Sequence, residues 1–515
     1  MDFVSIALFT ILLYVRPQEI FGFLEALRPA FVVMAMGFVA LLVRPGGLNP
    51  KTILRTPHDW LMAAYFLWII FTNEAEYETW KKIYPFVGFY FISVQALTSV
   101  ERIYQLLYVL LGCIMFIAIM ALAQLIGIDP VGSAGVTEGS NGRLVFNTGL
   151  FNNANALGHS VIVAIPLTYF LMVWKREIFV KEVAIPMFGI ALWCVYLTES
   201  KGSFISGFGA VLATLTFGRP KWIQAIILTL ALTVGWGAMA ALPRFGELQA
   251  SKASKDEAIQ GRVRAFVFGR WATDTLQYGV GYGNFVDAMA RKEGEEAAIA
   301  SHSSYNQISA ELGKGGLFLF VGLMYVAMRT LVQAKTANVQ EERIRRAMFC
   351  LVLGYGVSSW MIDFGFRALF FLMIAMVGAF HRMLQTRTGV VGAEQDLEQA
   401  LQRESNPLHG MAAAGATGAQ TYMAQMKQIR GAARRGMGTA MSAVAPIAPL
   451  SGSATIQASN AYAPAAIEPG IALPTGASSF MPWARLGWLD FVLMYALLRL
   501  ALYIRVYAIE DLFAG

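Results

Sequence analysis

The sequence predicts an all-α integral membrane protein of about twelve transmembrane helices, with one large loop between the ninth and the tenth. Three observations carry this. Of 515 residues, 57% are hydrophobic and only 14% charged, against about 45–50% and about 25% in soluble globular chains. The mean hydropathy is +0.54. The apolar residues gather into runs close to the ~17–25 residues that a bilayer-spanning helix needs. This balance excludes a soluble enzyme, a nucleic-acid-binding domain and a disordered scaffold. Length alone would suggest about three domains, but hydropathy makes residues 1–385 one polytopic membrane body.

The candidate spans lie near residues 2–15, 28–43, 59–73, 83–99, 103–126, 155–174, 183–198, 202–218, 222–242, 315–334, 347–362 and 366–384. The first begins almost at Met1 and lacks a basic leader region and an Ala-x-Ala cleavage site, so it reads as a helix and not a signal peptide. The even-numbered loops hold thirteen Lys and Arg, the short odd-numbered loops seven. The positive-inside rule therefore puts the even loops and the N-terminus in the cytoplasm. The long loop 243–314 is odd and lies outside. Cys113, Cys194 and Cys350 all fall in apolar runs and read as buried thiols. Residues 386–482, rich in Ala, Gly, Ser and Pro, read as a flexible cytoplasmic tail. Residues 483–507 turn apolar again, either as a thirteenth span or as an interfacial helix; the internal Asp490 and Arg499 favour the interfacial reading.

The unusual polar segments share one side. They are GRLVFNTGLFNNANALGH (142–159), TESKGS (198–203), QGRVRAFVFGRW (260–271), GVGYGNF (279–285), SHSSYNQ (301–307) and DFGFR (363–367), all in odd loops. Ionisable groups near a membrane are costly and tend to mark function or pair with each other. A set containing Arg143, Lys201, Arg262, Arg264, Arg270 and Arg367, with His302 among them, suits an anionic group such as a phosphate or pyrophosphate. His302 can take a proton from a hydroxyl at neutral pH. No group of residues has metal-ligand spacing, so neither a metal nor a cofactor is expected.

Each residue also has a plainer reading. His302 is otherwise a solvated loop histidine. Val263, Phe266, Val267 and Trp271 follow helical spacing, so the three arginines of this segment fit the polar face of an interfacial helix. On a helix Arg262 and Arg264 point roughly 200° apart and do not reach one ligand together. Lys201 could simply snorkel. Asn152, Asn153 and Asn155 suit a helix cap as well as a substrate contact. The glycines of GVGYGNF suit a tight turn, with no βαβ unit around them to make a dinucleotide site.

In this order and on this one side, the motifs GLFNNANALG, LTESKG, Gly261-Arg262, GVGYGNF, SHSSYN and ELGKGGL resemble those of the bacterial O-antigen ligases and their polymerase relatives, most clearly over 140–335. YVRPQE (14–19) is similar to the exosortase-associated O-glycosylation ligase subgroup. The resemblance implies a GT-C-like glycosyltransferase fold in the bacterial inner membrane with a periplasmic active site. It implies transfer of a glycan from an undecaprenyl-diphosphate donor to a hydroxyl of a lipid or protein acceptor, without a metal. His302 would be the general base and Arg262 would hold the diphosphate. Lys201 stands where the family has arginine, keeping the charge but losing the bidentate fork. Ser303 stands where the family has asparagine. Arg143, Arg264, Arg270, Asn153 and Asn306 are further candidates for substrate contact. Two other readings stay open: a repeat-unit polymerase, and a transporter of polyprenol-linked glycans. A transporter would more often show internal repeats and charges on both sides of the midplane.

Overall fold

The computed structural model describes residues 1–45, 47, 54–73, 77–241, 257–385 and 486–513. Among them the regular structure is all helix. In chain order the main helices are α1 (Asp2–Tyr14), α2 (Pro29–Val43), α3 (Pro57–Thr72), α4 (Tyr77–Ala96), α5 (Val100–Ala123), α6 (Ala154–Val161), α7 (Ile178–Leu197), α8 (Lys201–Thr216) and α9 (Lys221–Ala241). They continue with α10 (Glu257–Thr275), α11 (Phe285–Glu293), α12 (Ser304–Gln333), α13 (Val339–Ser358), α14 (Ala368–Gln385) and α15 (Trp488–Phe513). Beyond α6 the chain continues helically through Ala164–Thr168 and widens into a π-turn at Tyr169–Val173.

The protein is an α-helical membrane protein. Five described helices are long and apolar enough to cross a bilayer: Val100–Ile126, Ala154–Val173, Ile178–Leu197, Ser304–Gln333 and Ala368–Gln385. Each of the other apolar runs also coincides with a helix, several of them shorter. Polar caps set the starts. Thr56 and Asp59 form a reciprocal capping box at α3, Ser99 accepts from the Arg102 N–H at α5, and Asn338 accepts from the Glu341 N–H at α13. The core is continuous and aromatic-rich, with Phe66, Phe86 and Phe370 packed around Phe371. The three cysteines are buried and free.

At the centre, α12 touches α3, α10, α13 and α15. Hydropathy starts the span at 315, and the long helix does start there: Gly313, at φ 65° and ψ −171°, breaks α12 into a short polar helix from Ser304 to Leu312, which the sequence expectation lacked, and the long apolar helix that follows. Ser303 caps it by accepting from the Asn306 N–H, and the Ser304 N–H donates to the carbonyls of Ser359 and Ile362 at 2.7 and 2.9 Å. The polar first turns are thus buried by docking on the α13–α14 connection. The described part of the segment expected as a long loop, 257–314, is mostly helix. Residues 242–256 lie outside the described residues, as do the expected tail 386–482 and residues 483–485.

Within that segment, α10 and α11 make a small separate core from Ala265, Phe268, Ala272, Phe285 and Met289, closed by Ala310 of α12. The α10 helix is thereby seated on the end of the bundle, while Val267 and Trp271 stay exposed on its other side.

Candidate active site

Four sequence-distant polar segments converge at the N-terminal end of α12. Glu19 and Arg16 reach the GLFNN segment: the Gly149 N–H donates to Glu19 Oε2 at 2.7 Å, and Arg16 pairs with Glu19 at 2.6 Å. A Cβ at Gly149 would push the Arg16 guanidinium aside from its present place. Arg143 ties the same segment to the start of α8. Its Nε donates to the Thr198 carbonyl at 3.0 Å and its Nη2 to Asn155 Oδ1 at 2.9 Å. Asn153 caps α6 by accepting from the Asn155 N–H.

Lys201 is the first residue of α8 and half-buried. Its neighbour Gly202 packs against His159, whose Nδ1 lies 3.0 Å from Ser358 Oγ on α13. His159 closes the GLFNNANALGH segment and was not among the expected site residues; its place at the end of that polar motif was the available signal.

His302 precedes the α12 cap in a left-handed conformation, φ 51°, which an L-residue adopts only where its surroundings hold it there. Arg262, on α10, lies near enough to act electrostatically on both His302 and His159. Burial, and then the Arg262 charge, push the His302 imidazole below its ordinary range, while Asp363 opposes them. The imidazole is therefore neutral at pH 7 and able to accept a proton. Thus the structure brings Arg262, His302 and Asp363 together across about a hundred residues of chain.

The other candidates are spread around this centre. Arg264 is exposed on α10. Arg270 sits two turns further along and faces Asp274 at 3.8 Å; Lys314 also meets Asp274, at 3.2 Å. Asn306 is fully buried. Its amide donates to the Ala265 carbonyl at 3.0 Å and to Ser301 Oγ at 3.2 Å, so it holds the Arg262 helix to α12 from behind.

The glycine motifs interlock. Val280 and Gly281 N–H donate to the carbonyls of Ala310 and Glu311, each at 2.9 Å. Glu311 accepts in return from the N–H groups of Gly283 and Phe285 at 2.8 and 3.3 Å, and from Gln307 at 3.2 Å. Asn73 accepts from the Tyr282 N–H at 2.9 Å. Positive φ at Gly279, Gly281 and Gly283 lets the loop make these turns. Sequence alone identified the turn but not its partner, Glu311.

Beside this lies a cleft of about 170 Å³. Arg16, Arg367 and Ser160 give it a polar side, and Leu13, Phe86 and Phe366 an apolar one. Among the described residues no group of His, Cys, Asp and Glu is placed to hold a metal ion. No protein-family model matches the chain, and no curated protein matches it.

Proposed function

We propose that the protein is a membrane glycosyltransferase of the O-antigen ligase type, transferring a glycan from an undecaprenyl-diphosphate donor to an acceptor hydroxyl on lipid or protein. The observation that supports it best is the pairing of a neutral, half-buried His302 with the Arg262 cation. The ordered motifs and their resemblance support it further. In this reading the twelve apolar helices of residues 2–385 cross the bacterial inner membrane in a GT-C-like arrangement, and the His302 end faces the periplasm.

The chemistry follows from the residues. His302 takes the proton of the acceptor hydroxyl as its oxygen bonds to the anomeric carbon. The bond from that carbon to the diphosphate breaks, and the electron pair leaves with the diphosphate. Arg262 stabilises the charge growing there, which a fixed cation does well where water is scarce. The His302 proton then passes to solvent or to the departing diphosphate. The cleft with Arg16 and Arg367 over apolar walls suits the join between a diphosphate and its prenyl chain.

The test is glycan transfer by the purified protein in nanodiscs, with lipid-diphosphate glycan and EDTA, comparing wild type with His302→Ala and Arg262→Ala. Product lost in both folded variants supports the reading. Persistent transfer by His302→Ala removes the general base. Movement of the lipid-linked glycan across vesicles, without transfer, would make the protein a transporter. Product length separates ligation of one block from polymerisation.

A further inference from the structure

We propose that α15 is a membrane-crossing strut and that its Arg505 is a positioning residue for α10, the helix that carries Arg262. The contacts of α15 run antiparallel along α12. Asp490 pairs with Arg329 at 2.9 Å and accepts from the Tyr325 hydroxyl at 2.8 Å. Met494 fills the notch over Gly322. Arg505 reaches Ser309 Oγ at 2.8 Å. The α15 helix itself runs 26 residues, or ~39 Å at 1.5 Å each. That is enough to cross the ~30 Å hydrocarbon core of a bilayer.

The two ends do different work. An arginine inside a spanning helix is costly unless a carboxyl meets it in good geometry. Asp490, fully buried, meets Arg329. Of the two charges that interrupt the apolar run of α15, Asp490 is thus half of an intramolecular pair, and Arg499 is exposed, where its long stem lets the guanidinium reach toward the membrane interface. At the other end one Arg505 nitrogen joins two helices. It lies 2.8 Å from Thr273 Oγ1 and 3.5 Å from the Gly269 carbonyl on α10, and it also meets Ser309 on α12.

At 100° per residue, Arg262, Gly269 and Thr273 fall within about 40° of each other on α10. Gripping Gly269 and Thr273 therefore fixes the rotation of the stripe that ends in Arg262. The grip needs close approach: a Cβ at Gly269 would strike the Asn306 amide.

The experiment uses the full chain and stands apart from the glycosyltransferase reading. First, an epitope tag is placed after Gly515 and another after Arg430, in cells where impermeant labelling of Lys292→Cys marks the α11 face. The tag after Gly515 is expected on the Lys292→Cys face and the tag after Arg430 on the opposite one. Both tags on one face would overturn the strut. Second, the five histidines are 13C-labelled and His302 is titrated by NMR in nanodiscs. In folded Arg505→Met the His302 midpoint should rise, as it should when Arg262→Gln removes the cation, and Arg505→Lys should restore part of the difference. If Arg505→Met does not fold, Thr273→Val combined with Ser309→Ala removes the two side-chain acceptors and should shift His302 the same way. An unmoved His302 midpoint in either folded variant overturns the positioning role.

Discussion

Glu311→Ala should release the glycine loop from α12 while leaving the bundle intact. The carboxyl is buried and accepts from two backbone N–H groups, Gly283 at 2.8 Å and Phe285 at 3.3 Å, besides the Gln307 side chain. Alanine offers neither oxygen. An orphaned buried N–H costs about 1–3 kcal/mol; this applies to Phe285, which is buried, whereas water reaches the exposed Gly283 and replaces most of its lost bond. The net is about 1–3 kcal/mol, or roughly a 5- to 150-fold shift in the loop's opening equilibrium. Glu311→Gln keeps one acceptor and should lose about half as much. Hydrogen exchange in nanodiscs reads this directly at the amides of Gly283 and Phe285, with the α5 amides as an internal reference. Unchanged protection of both amides in Glu311→Ala would refute the reasoning. Equal loss throughout α5 would show that Glu311 holds the bundle and not the loop.

Other perturbations test neighbouring parts of the site. Because burial and Arg262 lower the His302 pKa while Asp363 raises it, transfer should fall only as pH drops through a value below about 6.5. Asp363→Asn should move that acid limb to still lower pH, and an upward move in the pH–rate profile would contradict the assignment. Gly279→Ala should cost more than Gly283→Ala in thermal unfolding. Both sites have positive φ, but a Cβ at 279 meets the Ala310 carbonyl oxygen at 2.5 Å, whereas at 283 the nearest atom is Lys82 Nζ at 3.7 Å; equal losses would remove the packing argument. Arg143→Ala should lower stability by about 1.5–3 kcal/mol by freeing the Thr198 carbonyl and Asn155. A tenfold rise in donor KM with unchanged Tm would instead make Arg143 a donor ligand.

Local signals made the helices legible and left their meetings hidden. Apolar runs place α5, α7, α8 and α14 within a few residues, because hydropathy and helix length report one requirement, burial in lipid. The start of α12 was hidden because Ser304–Leu312 is polar and becomes helical by docking on Ser359 and Ile362, a contact between residues more than fifty apart. The glycine turn of 279–285 was legible from composition, but its carboxyl partner Glu311 was not, since a pairing across nearly thirty residues leaves no periodic trace. Asp490 stood out in the sequence as an anomaly. Only its meeting with Arg329, 161 residues away, explains it.

The same contacts divide the site's polar residues into two kinds. Glu19, Asn73, Arg143, Asn306 and Glu311 spend side-chain donors or acceptors on the backbone of another segment. They form the frame. Arg262 and Arg264 remain exposed on α10, and His302 stands half-buried beside Arg262. A frame residue acts on a ligand only by moving these, so its loss should lower stability and rate together. Loss of Arg262 or His302 should lower rate more than stability, because both stand where a ligand would meet them, Arg262 exposed on α10 and His302 half-buried near it. The two kinds are thus separable by measuring Tm beside kcat/KM across the set, and a frame mutant that loses rate at full stability would belong with the ligand-facing group.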